Sequence, residues 1–467
     1  MRIEPSALFD SSELSSTELL LVVGLIAAFA IEIARAYGSN SWLQLYRPTV
    51  FLAAILSYYC LLSPLRALAL GEWVERGQNL RGAMVYGWGG ALAFYLSVLV
   101  GFHEFPTPRF DRRFILEPDP ERLYRLGRNF CLIGLGLYAL SAGTAFLAQL
   151  NPLTVRDALV ESGPGLELGA FASYVSYGVN LLIPGVLLQF TSWVISRRHL
   201  VQLLGWGLAT TGLFTTLGFR WRLVILVLPM LLLWYLVRGR RPQIRVLVAF
   251  GAAAILVVAG ALGIGRDYGR GIDVEAVQGS SLEELIESGF VEGRSVFFTT
   301  GGVIMRVPDR APFVGLAPFI SVLQIPIPRA FLPDKDTIGY LSRSIQPVFG
   351  DPAFSVGAAV MNFGEYYLVA GWPSLVAISM LMGWLLRWLW NWFLLRCREP
   401  FAQVIYLLSA CFLYVIVSRG YLAQITYLSA FTLLPLFWMY GRWAQPPPEP
   451  KRAPRLKKTS LPTPTPR

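Results

Sequence analysis

Apolar residues in this sequence run in blocks of about twenty, the number a helix rising 1.5 Å per residue needs to cross a hydrocarbon layer about 30 Å thick. A soluble amphipathic helix would interrupt such blocks with polar residues at helical period. Residues 19–31 and 244–264 hold almost none. The pattern predicts an all-α, polytopic integral membrane protein with about eleven transmembrane helices. The spans fall near 18–36, 49–70, 82–101, 129–150, 169–195, 200–219, 223–237, 244–264, 372–395, 401–417 and 421–440. Four regions follow from them. Residues 1–264 form a bundle of about eight spans, and 265–371 a large extracytoplasmic loop with interfacial or re-entrant helices. Residues 372–440 form the C-terminal transmembrane helices, and 441–467 a basic cytoplasmic tail whose Pro-, Lys- and Arg-rich composition predicts disorder.

Charge gives these spans a direction. One set of loops carries Arg109, Arg112, Arg113, Arg122, Arg125 and Arg128, then Arg197 and Arg198, then Arg238, Arg240, Arg241 and Arg245, then Arg396 and Arg398. All fall on one side with the basic tail, which the positive-inside rule assigns to the cytoplasm. The other side receives the acidic N-terminus, 71–81, 151–168 and 265–355, where eleven acids outnumber eight bases. The N-terminus is therefore predicted outside and the C-terminus cytoplasmic. Within the large segment, 352–370 is read as a half-helix dipping into the membrane and carrying Glu365, because a full span there would reverse the tail. Residues 311–333, punctuated by prolines, are read as lying along the outer membrane surface.

Composition agrees, with 55% apolar and only 15% charged residues. The net charge of +11 sits mostly in short loops and the tail, so it points to membrane lipids as partners and to no nucleic acid. Cys60, Cys131 and Cys411 lie inside apolar blocks and Cys397 at a basic helix end, which implies neither a disulfide nor a CxxC site. His103 and His199 are far apart and border basic loops. No phosphate loop, HExxH, GxSxG or dinucleotide fingerprint occurs, so neither a metal nor a cofactor is expected. A start holding Glu4, Asp10 and Glu13 against Arg2 does not read as a cleavable signal peptide.

Chemistry is sought instead among charges stranded at membrane depth, which are costly and mark function. Arg220 and Arg222 occupy the GFRWRL turn on the outer side, Arg266 and Arg270 the GIGRDYGRG stretch, and Arg419 the VSRGY turn. The positive-inside rule disfavours arginine there. A bound polyanion supplies the reason, because guanidinium forks suit phosphate or diphosphate; the alternative for any single arginine is snorkelling to headgroups. Glu365, in NFGEYYLVAGW, is an isolated acid in an apolar stretch, read either as an ion pair with one of these arginines or as a general base. Glu32 is expected to pair with Arg35. Tyr268, like Trp221, Trp372 and Tyr421, belongs to an interfacial aromatic belt and is a candidate for sugar stacking.

The stretch IPIPRAFLPDKDTIGY, followed by SVGAAVMNFGEYYLVAGWPSLVAISMLMGWLLR, resembles the C-terminal half of the O-antigen polymerases, the Wzy or oligosaccharide repeat-unit polymerase family. GFRWRL resembles that family's arginine-bearing turn, so the resemblance covers about 218–396. Leu332 stands where the family has Trp, Asp336 replaces its proline, and NFG precedes the GE pair instead of following it. The resemblance implies a GT-C-type glycosyltransferase at the periplasmic face of a bacterial inner membrane, with neither nucleotide sugar nor obligatory metal. It implies transfer of a growing glycan from one undecaprenyl diphosphate to the non-reducing hydroxyl of another, in O-antigen lipopolysaccharide or exopolysaccharide biosynthesis. A chain-length regulator protein is then a candidate partner. Carried onto this chain, it gives Glu365 as base, Arg222 and Arg266 beside it in catalysis, and Arg220, Arg270, Arg329, Arg419 and Tyr268 as diphosphate- or glycan-binding groups. Two other readings stand beside it. An O-antigen ligase would need a histidine in 265–355, which holds none, and a transporter of an anionic lipid-linked glycan would carry more polar residues in mid-span.

Overall fold

The computed structural model describes residues 13–107, 110, 119–143, 150, 175–217, 220–243, 245, 282–327, 331–332, 339–350 and 359–443, without the side chains of 216, 220 and 282–289. Nearly all of it is helix. In chain order these are α1 (Ser16–Tyr37), α2 (Pro48–Leu70), α3 (Ala83–His103), α4 (Pro120–Ala142), α5 (Tyr177–Ser196), α6 (Leu200–Thr216) and α7 (Arg220–Val237). After these come α8 (Leu282–Arg306), α9 (Ala317–Gln324), α10 (Gly339–Phe349), α11 (Asn362–Ala370), α12 (Trp372–Arg396), α13 (Pro400–Ser418) and α14 (Leu422–Trp443). The strands β1 (Val74–Glu75) and β2 (Gln78–Asn79) pair antiparallel as a small hairpin between α2 and α3.

Among the described residues seven helices are long and apolar enough to cross a membrane: α1, α2, α3, α5, α12, α13 and α14. α6 and α7 are shorter apolar helices. α4 starts at Pro120 and not near 129, because the Asp119 carboxylate accepts from the Arg122 N–H at 3.0 Å and proline suits the first helical position. Apart from 245, the apolar stretch 244–264 lies outside the described residues, as does the basic tail beyond 443.

Burial separates central from peripheral spans. The apolar windows of α5 and α13 are 89% and 83% buried, whereas those of α12 and α14 are each 28% buried and leave the rest to lipid. Without a hydrophobic drive between helices in hydrocarbon, close packing needs small residues. The parallel pair α3–α12 shows it. A Cβ at Gly101 would lie 2.0 Å from the Met380 carbonyl oxygen, and one at Gly383 would lie 2.2 Å from that of Val98. The antiparallel pair α4–α5 meets at Gly127 and Gly185 in the same way.

Charged groups at the helix ends fall into two sets. At one end Arg241 lies over the Tyr37 ring, Arg122 over Trp443, and the Tyr440 hydroxyl donates to Glu399. Here Glu32, fully buried, accepts from the Thr49 hydroxyl at 2.6 Å and meets Arg47 at 3.5 Å and His103 at 3.3 Å. Its partners are therefore not the expected Arg35: the loop after α1 turns back over the helix end and brings Arg47 to it. At the other end Arg81, just after the hairpin, forms a buried ion pair with Glu18 in the first turn of α1.

Within 265–371 the described residues include a long helix packed into the bundle. α8 buries Val296, Phe297, Phe298, Thr299, Thr300, Val303 and Ile304. Phe297 sits over Gly87 of α3, and a Cβ at Gly301 would lie 2.2 Å from the Ala83 carbonyl oxygen. These contacts fall in the half of α3 nearest the hairpin, which grips α8 through Glu72 and Glu75 to Arg294 and Ser295. α8 thus wedges beneath the hairpin, and its polar residues kept it out of the predicted spans.

Candidate functional site

α11 is a nine-residue helix between α10 and α12 and is not one of the seven spans. Met361, extended at its N-cap, donates its N–H to Thr300 Oγ1 of α8 at 2.9 Å. Gly364 lets α11 lie directly on Thr300, since a Cβ there would come within 2.8 Å of the threonine methyl. This fixes Glu365 in the first turn, facing inward and 1% exposed.

Three hydrogen bonds converge on the Glu365 carboxylate. The Tyr340 hydroxyl of α10 donates to Oε1, and the Leu422 N–H donates to both oxygens, at 2.9 and 3.1 Å. Leu422 opens α14, whose first N–H groups have no acceptor within their own helix. A glutamate more than fifty residues earlier thus caps the last span, where the positive helix end favours a carboxylate. The turn before Leu422 is locked to the same place. Gly420 donates its N–H to the Val360 carbonyl, and a Cβ on it would lie 2.5 Å from the Met361 carbonyl oxygen. Only glycine fits.

Burial pushes the Glu365 carboxyl up to about 7, and the bonds from Tyr340 and Leu422 offset this only in part. The Tyr340 phenol is in turn pushed up, by burial first and then by the Glu365 charge, so it stays a donor. A carboxyl balanced near neutrality exchanges a proton readily.

Arg419, on the same turn, pairs with Glu292 of α8 rather than with Glu365, and both are partly exposed. Tyr59 and Tyr414, joined hydroxyl to hydroxyl at 3.1 Å, lie alongside this pair. Arg222 departs from its predicted place at the interface. It turns inward, 5% exposed, and Nε donates to Asn180 Oδ1 at 3.0 Å, with the rings of Trp221 and Phe214 at 5.1 and 5.6 Å from its guanidinium. The aromatic lining makes this position better solvated for a guanidinium than bare hydrocarbon.

Two of the predicted groups, Glu365 and Arg419, meet through the 419–422 turn. Arg222 is held by α5, and α14 connects the two places: its Leu422 caps on Glu365, and its Tyr427 and Phe431 pack on Tyr177, beside Asn180. The side chain of Arg220 and all of Arg266, Tyr268, Arg270 and Arg329 lie outside the described residues. Among the described residues no group of His, Cys, Asp and Glu is arranged to hold a metal. Sequence reasoning missed Tyr340, Glu292 and Asn180. Tyr340 closes the IPIPRAFLPDKDTIGY stretch, a position from which it could have been picked; Glu292 was one acid among eleven in a presumed loop.

No family model, no curated protein and no solved structure matches this chain.

Proposed function

We propose that this chain is a polysaccharide polymerase that elongates glycans carried on undecaprenyl diphosphate at the periplasmic face of a bacterial inner membrane. The observation that carries the reading is the buried Glu365 carboxyl, raised to about 7 and seated on the turn that bears Arg419. In the proposed reaction the hydroxyl of one lipid-linked glycan attacks the anomeric carbon of another. The bond from that carbon to the diphosphate oxygen breaks, and the hydroxyl proton passes to Glu365. Arginines, Arg222 and Arg419 among them, balance the charge on the leaving lipid diphosphate. Both of its oxygens accept hydrogen bonds in this structure, so in the proposed step the incoming hydroxyl takes the place of one of those donors.

The proposed topology has eleven spans: the seven long apolar helices together with α4, α6, α7 and the stretch 244–264. The N-terminus is then periplasmic and the C-terminus cytoplasmic.

The test is elongation of lipid-linked repeat units by the purified chain in detergent. The wild type should extend them, while Arg222→Ala and Glu365→Gln should fold and leave chains at one repeat. Normal chain lengths from both variants, or none from the wild type, would sink the proposal.

A further inference from the structure

The transferase reading needs two lipid diphosphates held at once, and the arginines discussed so far account for one. A second arginine pair stands elsewhere. Arg306 ends α8, and Arg310 follows it in the next turn, its N–H bonded to the Arg306 carbonyl at 2.8 Å. Burial and the neighbouring Arg310 charge both hold the Arg306 guanidinium below its usual range, so an anion between them would be favoured. Arg306 is fixed by the Pro347 and Val348 carbonyls at 2.6 and 2.9 Å, both bonded through Nη1. The exposed Asp309 is the one acid beside the pair in sequence.

Directly after these arginines in the chain comes an exposed apolar surface. Leu316, Ile320 and Leu323 are 65%, 50% and 75% exposed, while Pro318 and Ser321 bury the opposite side of α9. Eight residues make a helix about 12 Å long, less than half a hydrocarbon layer, so α9 does not cross it. It is also tied to the Glu365 helix: Val314 donates its N–H to the Leu368 carbonyl at 2.8 Å, and the Phe313 and Tyr367 rings lie 5.9 Å apart. Leu368 is one helical turn beyond Glu365. Cations at the head, an aliphatic face behind and a proton-accepting group nearby match a diphosphate lipid held for reaction.

We propose that Arg306, Arg310 and the outer face of α9 dock one polyprenyl diphosphate, the headgroup on the arginines and the isoprenoid chain along Leu316, Ile320 and Leu323. This rests on the transferase reading for its purpose, but not for its test.

The whole chain would be placed in phosphatidylcholine nanodiscs with a photoreactive polyprenyl diphosphate, and the cross-linked residues mapped. Labelling should concentrate on α9, and excess unlabelled polyprenyl diphosphate should displace it while phosphatidylglycerol does not. Arg310→Gln and Leu323→Ser, both at exposed positions, should each weaken labelling about tenfold with an unchanged thermal midpoint, one hydrogen-bonded charge or one buried aliphatic side chain being of that order. Labelling spread evenly over the lipid-facing spans, or displaced equally by phosphatidylglycerol, would overturn the site. If α9 is labelled as expected and the protein elongates nothing, the docking site stands and the polymerase reading falls. Elongation without labelling of α9 gives the reverse.

Discussion

Replacing Glu365 by glutamine should make the protein more stable above neutral pH while removing its activity. In the folded chain this carboxyl is raised from 4.5 to about 7, chiefly by burial. The folded state therefore holds its proton where the unfolded state has lost it. The stability linked to that proton is fully present below pH 4.5, declines as pH rises and is gone above about 7. Over that interval the loss approaches roughly 3 kcal/mol, at 1.36 kcal/mol per pK unit. Glutamine keeps an oxygen to accept from the Leu422 N–H and offers an amide to Tyr340, without a buried charge at any pH. Below pH 5 the variant should match or fall slightly short of the wild type. Near pH 8 it should exceed it by 1–3 kcal/mol, at the order of that pK difference. Equilibrium unfolding in mixed detergent micelles between pH 5 and 8 would measure both curves. Parallel curves, or a wild type that gains stability as pH rises while the variant does not, would refute a buried, destabilised carboxylate at this position.

Other perturbations follow from the same contacts. Gly420→Ala puts a Cβ 2.5 Å from the Met361 carbonyl oxygen, a backbone obstacle, and should cost about 2–3 kcal/mol in unfolding assays together with elongation. Arg81→Ala strands the buried Glu18 and should cost about 3–5 kcal/mol, seen as a collapse of membrane accumulation, whereas Glu18→Gln with Arg81→Leu should recover most of it. Gly383→Val should prevent α3 and α12 from packing and abolish folded protein in a size-exclusion profile. In a Cys397→Ser background, Val74→Cys in the hairpin should react with an impermeant thiol reagent in intact cells, and Arg240→Cys only after lysis. Labelling of both before lysis would refute the proposed orientation.

The parts of the fold legible in the sequence were those where lipid dictates composition. α1, α2, α3, α12, α13 and α14 begin and end within a few residues of the predicted blocks, because every residue facing hydrocarbon has to be apolar. α8 was not legible, for a complementary reason. It faces protein along one side and the hairpin along another, so Glu292, Arg294 and Ser295 are satisfied by Arg419, Glu72 and Glu75 and need not be excluded. What did mark it was its glycines. Gly293, Gly301 and Gly302 are unfavourable in a solvated helix, and each faces another element too closely for a Cβ.

The candidate site shows the same division. Arg419 and Glu365 drew attention because a charge in an apolar stretch is costly, and both prove to be held by specific partners at one end of the bundle. Cost identified the residues but not their partners. An ion pair with one of the outer arginines was one of the two readings that charge allowed, and the structure instead gives Glu365 two donors that carry no formal charge, Tyr340 and the Leu422 N–H. That difference sets the proton affinity of the carboxyl. A guanidinium against Glu365 would stabilise its ionised form and hold the carboxyl low, leaving a weak base at neutral pH. Neutral donors offset burial only in part, so the group stays near 7, ready to accept a proton, while the arginine on the same turn is left to Glu292 at a partly exposed position that an anion can reach.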